Sequence, residues 1–383
     1  VSSRSVTNGP PLRIAQVAPL YESVPPKLYG GTERVVSYLT EELTRLGHSV
    51  TLFASGDSVT RARLIPGSPR ALRLDPSCVD PLAHHLVLIE KVFQRAREFD
   101  VIHFHVDYLH YPVSRRGSVP HLTTLHGRLD LPDLAPLYRE YADIPVVSIS
   151  YAQRRPLPDL AWLATVPHGL PLGMHRPGTG AGEYLAFLGR VSPEKRVDRA
   201  IEIARRAGWR LRIAAKVDRA DSVYFDNVIR PLLSEPHVEF LGEISEAEKS
   251  EFLGDAAALL FPIDWPEPFG LVTIEALACG TPVIAFRAGS VEEIVEDGVS
   301  GFVVASVPEA VEAVAALDRL DRAACRQAFE KRFTAARMAR DYVRIYREVV
   351  ARGVGGRRAM RSRLAPPGPA RPERPRGDGA KSH

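Results

Sequence analysis

Short apolar runs, each the length of a buried strand, alternate with amphipathic stretches at helical spacing along most of this chain. Strands apolar on both faces belong to a parallel sheet, and the helices between them supply its covers. In the first half the runs lie at 12–18, 49–54, 101–106, 121–125, 145–149 and 162–166, with helical patterns at 32–46 and 81–97. Residues 169–182 then turn to Gly, Pro and Thr, the composition of a linker. The alternation restarts with runs at 184–188, 210–215, 237–241, 257–261, 282–286 and 301–304. Helical patterns fill the gaps at about 195–207, 221–234, 245–254, 270–279 and 307–317. This predicts an α/β chain of two doubly wound, Rossmann-like domains facing across a cleft, at 11–168 and 183–333, joined by the linker 169–182. With 383 residues, each domain is large enough to bury its own core. Ligands of such sheets bind beyond the carboxyl ends of the strands, here in the cleft.

The chain carries a net charge of +4, and this needs dividing before it implies a partner. Residues 356–383 hold seven Arg and one Lys against one Glu and one Asp, so this segment contributes +6 and the body about −2. The segment is Arg, Pro and Gly with almost no aromatic or β-branched residue, and is expected to be a disordered basic tail. A basic body is thus absent, and no nucleic-acid partner is expected; the tail leaves peripheral contact with anionic lipid open. Three scattered cysteines, Cys78, Cys279 and Cys325, suit a reducing compartment better than a disulfide framework. The polar residues 1–9 do not read as a secretion signal, and no apolar run is long enough to span a bilayer. The expected location is the cytoplasm.

The first domain lacks GxGxxG, which disfavours a nicotinamide cofactor. Its first strand leads instead through a long loop to Gly30-Gly31-Thr32-Glu33, where Thr32 reads as a helix N-cap. In the second domain, Gly189-Arg190-Val191-Ser192-Pro193-Glu194-Lys195 joins its first strand to its first helix. Arg190 and Lys195 could bracket a diphosphate. The same residues also read as an ordinary helix start, with Ser192 as cap and Pro193 at the first position. Further on, Glu267-Pro268-Phe269-Gly270-Leu271 passes from a Pro-rich loop into a helix, and Glu275 follows Glu267 after seven intervening residues. A helix N-terminus favours an anion, and carboxylates beside it can hold hydroxyls. Phosphate and polyol together describe a nucleotide sugar.

In order and context, Gly30-Gly31, His126-Gly127, Gly189-Arg190 with Glu194-Lys195, and the Glu267/Glu275 pair resemble the family 4 glycosyltransferases. These are retaining enzymes of the two-domain GT-B fold, and the resemblance covers roughly residues 12–350. It implies that a helix at about 334–352 packs back on the first domain. It further implies a retaining transfer of a hexosyl group, by frequency glucosyl from UDP-glucose, to a hydroxyl acceptor. Arg190 and Lys195 would hold the diphosphate and stabilise the departing phosphate, in the place of a metal, so no metal or other cofactor is expected. Glu275 would bind the ribose and Glu267 the transferred sugar. Backbone N–H groups at Phe269, Gly270 and Leu271 would meet sugar or phosphate oxygens. Gly30 and Gly31 would admit the diphosphate, and His126 would bond a sugar hydroxyl such as the 6-OH.

Some positions leave alternatives. Lys216 stands where relatives carry a small glycine-rich turn, and reads either as a further phosphate contact or as an exposed lysine. His168-Gly169 replaces the Asn-Gly of many relatives. His103, His105, Asp107 and His110 resemble a metal cluster, but His105 and Asp107 fit better as lining of the acceptor side. Tyr21, Tyr29, Tyr108, His110 and Tyr111 are candidates for stacking on an acceptor of unknown class. On the same fold, a nucleotide-sugar epimerase, a glucan phosphorylase or a degenerate nucleotide-sugar-binding protein are the competing functions.

Overall fold

A computed structural model of the chain describes residues 9–27 and 30–364, the stretch 354–364 as backbone alone. Among the described residues, thirteen strands form two sheets that are parallel throughout. The first contains β1 (Arg13–Val17), β2 (Ser49–Ser55), β3 (Arg63–Ser68), β4 (Val101–Phe104), β5 (His121–Thr124), β6 (Val146–Ser148) and β7 (Trp162–Thr165). Its order is β3-β2-β1-β4-β5-β6-β7. The second contains β8 (Tyr184–Arg190), β9 (Arg210–Lys216), β10 (Val238–Gly242), β11 (Ala258–Phe261), β12 (Val283–Phe286) and β13 (Gly301–Val304), in the order β10-β9-β8-β11-β12-β13. Each sheet reverses direction beside its first strand, between β1 and β4 and between β8 and β11. Such a switch point opens a crevice at the carboxyl ends of the strands, and all the motif loops above leave from these ends.

The helix Gly31–Arg45 follows β1 and buries Val35, Val36, Leu39 and Leu43 at the spacing the sequence shows. Its cap, however, is Gly30, and Thr32 lies within the first turn. β3 is an edge strand with no apolar run to mark it in the sequence. Its residues, RLIPGS, include Pro66 and Gly67, which an edge tolerates because no further strand needs the missing N–H. Residues 219–232 form short helical turns around one wider turn at Phe225–Ile229, rather than one helix.

After β13 and the helix Val307–Ala315, two helices follow, Arg322–Arg332 and Ala335–Leu364. The second packs on the helix Gly31–Arg45 and on β4, so the chain ends against the sheet with which it began. Gly353, at φ 52°, interrupts it, and backbone that is again helical continues to Leu364. Most of the expected tail, residues 365–383, lies outside the described residues. The linker is fastened from the same direction. Arg322 donates to the Gly178, Gly254 and Ala256 carbonyls, and Arg326 to those of Leu172, His175 and Ala278. No helix among the described residues is long and apolar enough to cross a membrane.

Candidate active site

A cleft of about 1020 Å³ lies between the carboxyl ends of the two sheets, and residues of both halves line it. It brings together Gly30, Gly31, His126, Arg190, Lys195, Lys216, Glu267, Phe269, Gly270, Leu271 and Glu275, which lie far apart in the sequence.

Strand register explains part of this convergence. Arg190 ends β8 and is directly opposite Lys216, the last residue of β9, so two cations stand side by side at the carboxyl ends of neighbouring strands. Lys216 is thus a strand residue, one place earlier than the loop position the sequence suggested. Neither cation stands alone. Arg190 reaches Glu194 at 2.5 Å, Asp221 at 3.5 Å and Asp218 at 3.9 Å, and Lys216 reaches Asp218 at 3.0 Å. Burial tends to raise the Glu194 carboxyl, but hydrogen bonds and the Arg190 guanidinium outweigh it and leave it lowered. Burial raises Asp221 despite Arg190. Lys195 closes a 3₁₀ turn over Pro193–Lys195, forms an ion pair with Glu267, and projects over Trp265, 5.2 Å from the ring centroid. The expected division, with cations on phosphate and glutamates on hydroxyls, is therefore drawn more closely here: Lys195 and Glu267 already touch.

The loop that carries Glu267 is braced from behind. Ser290 N–H donates to the Glu267 carbonyl at 3.0 Å and Ser290 Oγ to the Phe269 carbonyl at 2.9 Å. Gly289, at φ +54°, passes so close that a Cβ there would overlap the Glu267 backbone. Gly270, at φ +80°, turns the chain into the helix Leu271–Ala278, where Thr273 N–H already bonds the Gly270 carbonyl at 3.0 Å and the N–H groups of Leu271 and Val272 precede that bond. From the other half, Ser150 Oγ holds the Pro268 carbonyl at 2.7 Å.

Glu275 is only 4% exposed, one turn into that helix. It meets Lys249 at 2.9 Å and, from the first half, Arg34 at 3.7 Å. Arg34 also pairs with Glu246. Burial works to raise the Glu275 carboxyl, and the two cations outweigh it, holding it below the usual carboxylate range. His175, Glu246 and Glu275 approach as a metal triad would, within 4.8 Å. Arg34 and Lys249, however, already neutralise both carboxylates and would oppose a cation. Arg34 and Lys249 were missed in the sequence because they read as ordinary helix-surface charges, in GTERV and SEAEKSEF.

The two glycines differ. Pro26 Cβ and Glu22 Cγ would stand 2.9 and 3.2 Å from a Cβ on Gly30, which therefore has to be glycine for packing. Gly31 meets only Leu271, at 3.5 Å, so its open side faces the cleft. Leu28 and Tyr29 lie outside the described residues.

His126 lines the cleft, half-buried, with its ring stacked on His168 at 5.3 Å. Burial pushes its imidazole down to about 3, so it is neutral at pH 7. The suspected metal cluster has other occupations. His103 bonds Tyr346 and Thr124, and His110 bonds Ser114 and Thr123 while stacked on Phe104. His110 and Tyr111 are wholly buried, which corrects their assignment as stacking surfaces. Tyr111 instead fills a core with Tyr138 and Leu125. His105, Asp107, Tyr21 and Tyr108 do line the cleft. Asp107, at φ +48°, is exposed on the cleft side, and desolvation by the surrounding protein atoms raises its carboxyl to about 6.

Residues 29–164 match the family described as Glycosyltransferase Family 4, and residues 179–331 the family described as Glycosyl transferases group 1. A D-inositol 3-phosphate glycosyltransferase of Acidothermus cellulolyticus is 28% identical over 336 residues, covering 72% of this chain and 74% of its own. Among solved structures, AviGT4, a glycosyltransferase involved in avilamycin A biosynthesis, superposes with a TM-score of 0.67. It is 25% identical and covers 89% of this chain and 98% of its own. Anabaena HepE in complex with UDP-glucose has the same fold, with a TM-score of 0.64 at 18% identity, covering 89% of this chain and 99% of its own.

Proposed function

The chain belongs to the family 4 glycosyltransferases and has their two-domain GT-B fold, and from its cleft we propose that it transfers a hexosyl group from a nucleoside diphosphate sugar to a hydroxyl acceptor with retention of configuration. One observation carries this reading: the cations Arg190, Lys195 and Lys216 and the carboxylates Glu267 and Glu275 line one cleft. A diphosphate would lie against the cations and the first N–H groups of the helix Leu271–Ala278. The ribose would reach Glu275, and the sugar would lie between Glu267 and His126. The UDP-glucose held by HepE supports a UDP-sugar as donor, with glucose as the first candidate.

Departure of the nucleotide leaves new negative charge on the β-phosphate, and Arg190 and Lys195 would stabilise it where it forms. Their carboxylate partners hold both side chains in place beforehand, so that little reorganisation is required. In a front-face route, the departing phosphate oxygen takes the proton of the acceptor hydroxyl. Enclosure between two halves would limit hydrolysis of the donor. No metal or other cofactor is assigned to the reaction in this reading, and peripheral membrane contact through the basic tail stays a separate proposal.

The test is a donor screen across UDP-, GDP- and ADP-sugars, read by the nucleotide released. Lys195→Ala is expected to lower kcat by about 10²-fold or more, and Glu275→Gln to raise the KM for the donor. Full turnover in both variants would refute the site.

A further inference from the structure

A continuous line of hydrogen bonds runs from the C-terminal helix through the core to the cleft. Tyr342 Oη lies 2.8 Å from Thr124 Oγ1, which lies 2.7 Å from His103 Nε2. His103 Nδ1 is 2.7 Å from Tyr346 Oη, which receives a hydrogen bond from Gln16 Nε2 at 2.9 Å. Gln16 Oε1 is 2.8 Å from His105 Nε2, and His105 Nδ1 is 2.9 Å from His126 Nε2. Every member before His126 is buried. His126 Nδ1, at the end of the line, is itself buried and has no partner among the described residues.

Proton counting gives this line a direction. A neutral imidazole carries one N–H, and a hydroxyl gives one hydrogen. Gln16 turns its N–H to Tyr346, so its oxygen faces His105 and has to receive Nε2–H. His105 is then bare at Nδ1 and has to receive Nε2–H from His126. With its only hydrogen so used, His126 is bare at Nδ1. On the other side, Tyr346 accepts from Gln16 and donates to His103 Nδ1. His103 donates Nε2–H to Thr124, and Thr124 donates to Tyr342. Turning the Gln16 amide over would reverse every bond and leave a hydrogen on His126 Nδ1.

We propose that Gln16 and Tyr346 are positioning residues for the donor sugar: acting through His105, they hold His126 with a bare Nδ1, which accepts a hydrogen bond from a sugar hydroxyl. The proposal rests on the reading that the transferred sugar lies beside His126. It adds a requirement to that reading, since a sugar carrying only an acceptor at this position would leave Nδ1 unmatched. Burial keeps His103, His105 and His126 below the ordinary imidazole range, so the count of one hydrogen per ring holds at neutral pH.

The full chain with nitrogen-15 histidine, observed in long-range proton–nitrogen spectra, distinguishes bare from protonated ring nitrogens, and the His126→Ala variant identifies the relevant signals. The expected pattern is Nε2–H with bare Nδ1 in both His105 and His126; a hydrogen on His126 Nδ1 overturns the proposal. Tyr346→Phe removes the hydroxyl that orients the amide, and should show both tautomers of His126. It should also raise the donor KM by about three- to ten-fold, with kcat within about two-fold, the scale of one hydrogen bond. Gln16→Glu, which can still accept from His105, should retain the bare Nδ1 and provides a second variant where Tyr346→Phe does not fold. An unchanged tautomer in Tyr346→Phe overturns the positioning role. Bare Nδ1 together with undiminished transfer by His126→Ala overturns the sugar contact, while leaving the order of protons intact.

Discussion

Acidification below the ordinary imidazole range should unfold this protein over a narrow span. His103, His105, His110, His126 and His168 are all held neutral in the fold, mainly by burial, below their ordinary value of 6.5. As the pH falls through 6.5, the unfolded chain binds five protons that the folded chain refuses, so stability falls with it. Each proton is worth ~1.4 kcal/mol per pH unit, and five together roughly 7 kcal/mol per unit. Opposing them, the folded chain holds extra protons on carboxyls that burial raises. Asp107 acts so up to about 6, and Glu22 and Glu33 shift in the same direction. The remainder is about two to four protons, or roughly 3–5 kcal/mol per pH unit. Against a total stability of about 5–15 kcal/mol, this places unfolding roughly one to five units below pH 6.5. Urea unfolding at a series of pH values between about 5 and 7.5 measures the slope. His110→Gln, away from the cleft, should lower that slope by about one proton, even though it loses stability at pH 7.5. A stability that stays within about 1 kcal/mol over that range would refute the argument.

Three further outcomes follow from local geometry. Gly289→Ala should remove transfer and cost roughly 2–4 kcal/mol of stability, because strain at positive φ adds to overlap with the Glu267 backbone; thermal melts and turnover check both. Asp107→Asn removes a carboxyl raised from 3.8 to about 6, whose protonated form the fold favours. The wild type should therefore lose melting temperature relative to this variant as the pH rises from about 4 to about 6, and parallel curves would count against a desolvated Asp107. Glu275→Gln leaves Lys249 and Arg34 with less opposing charge in a closed corner, and should cost roughly 2–4 kcal/mol; a denaturant midpoint equal to that of wild type would exclude a structural share for this pair.

The sheets were legible because β1, β4, β8, β11 and β12 are buried on both faces and therefore read as unbroken apolar runs. β3 was not, since its burial falls on one end only and Pro66 and Gly67 are marks of a loop in any local window. The cap at Gly30 in place of Thr32 is a shift of two residues, about half a turn. No side-chain preference decides it, because the helix begins where Pro26 and Glu22 press the backbone. Of the site, the residues at strand ends and helix starts were visible, as local punctuation marks them. Arg34 and Lys249 were not, because a charge on a helix surface looks the same whether it meets water or Glu275.

The buried line to His126 shows why such partners escape a reading along the chain. Gln16 lies in an apolar strand where a polar residue at a buried position is the only sign of a partner, and that sign does not name it. Its two partners are His105, just past the end of the neighbouring strand β4, and Tyr346, 330 residues away in sequence. Tyr346 reaches it only because the last helix returns to the first sheet, which is a property of the whole fold. The dependence also runs in the opposite direction. A returning helix held by apolar packing alone could slide or rotate by a fraction of a turn at little cost. Hydrogen bonds that join Tyr342 and Tyr346 with Thr124, His103 and Gln16 allow one seating, since any other leaves several buried polar groups unpaired. The same bonds that seat the helix order the protons at His126, so the end of the chain and the sugar side of the cleft are set by one network.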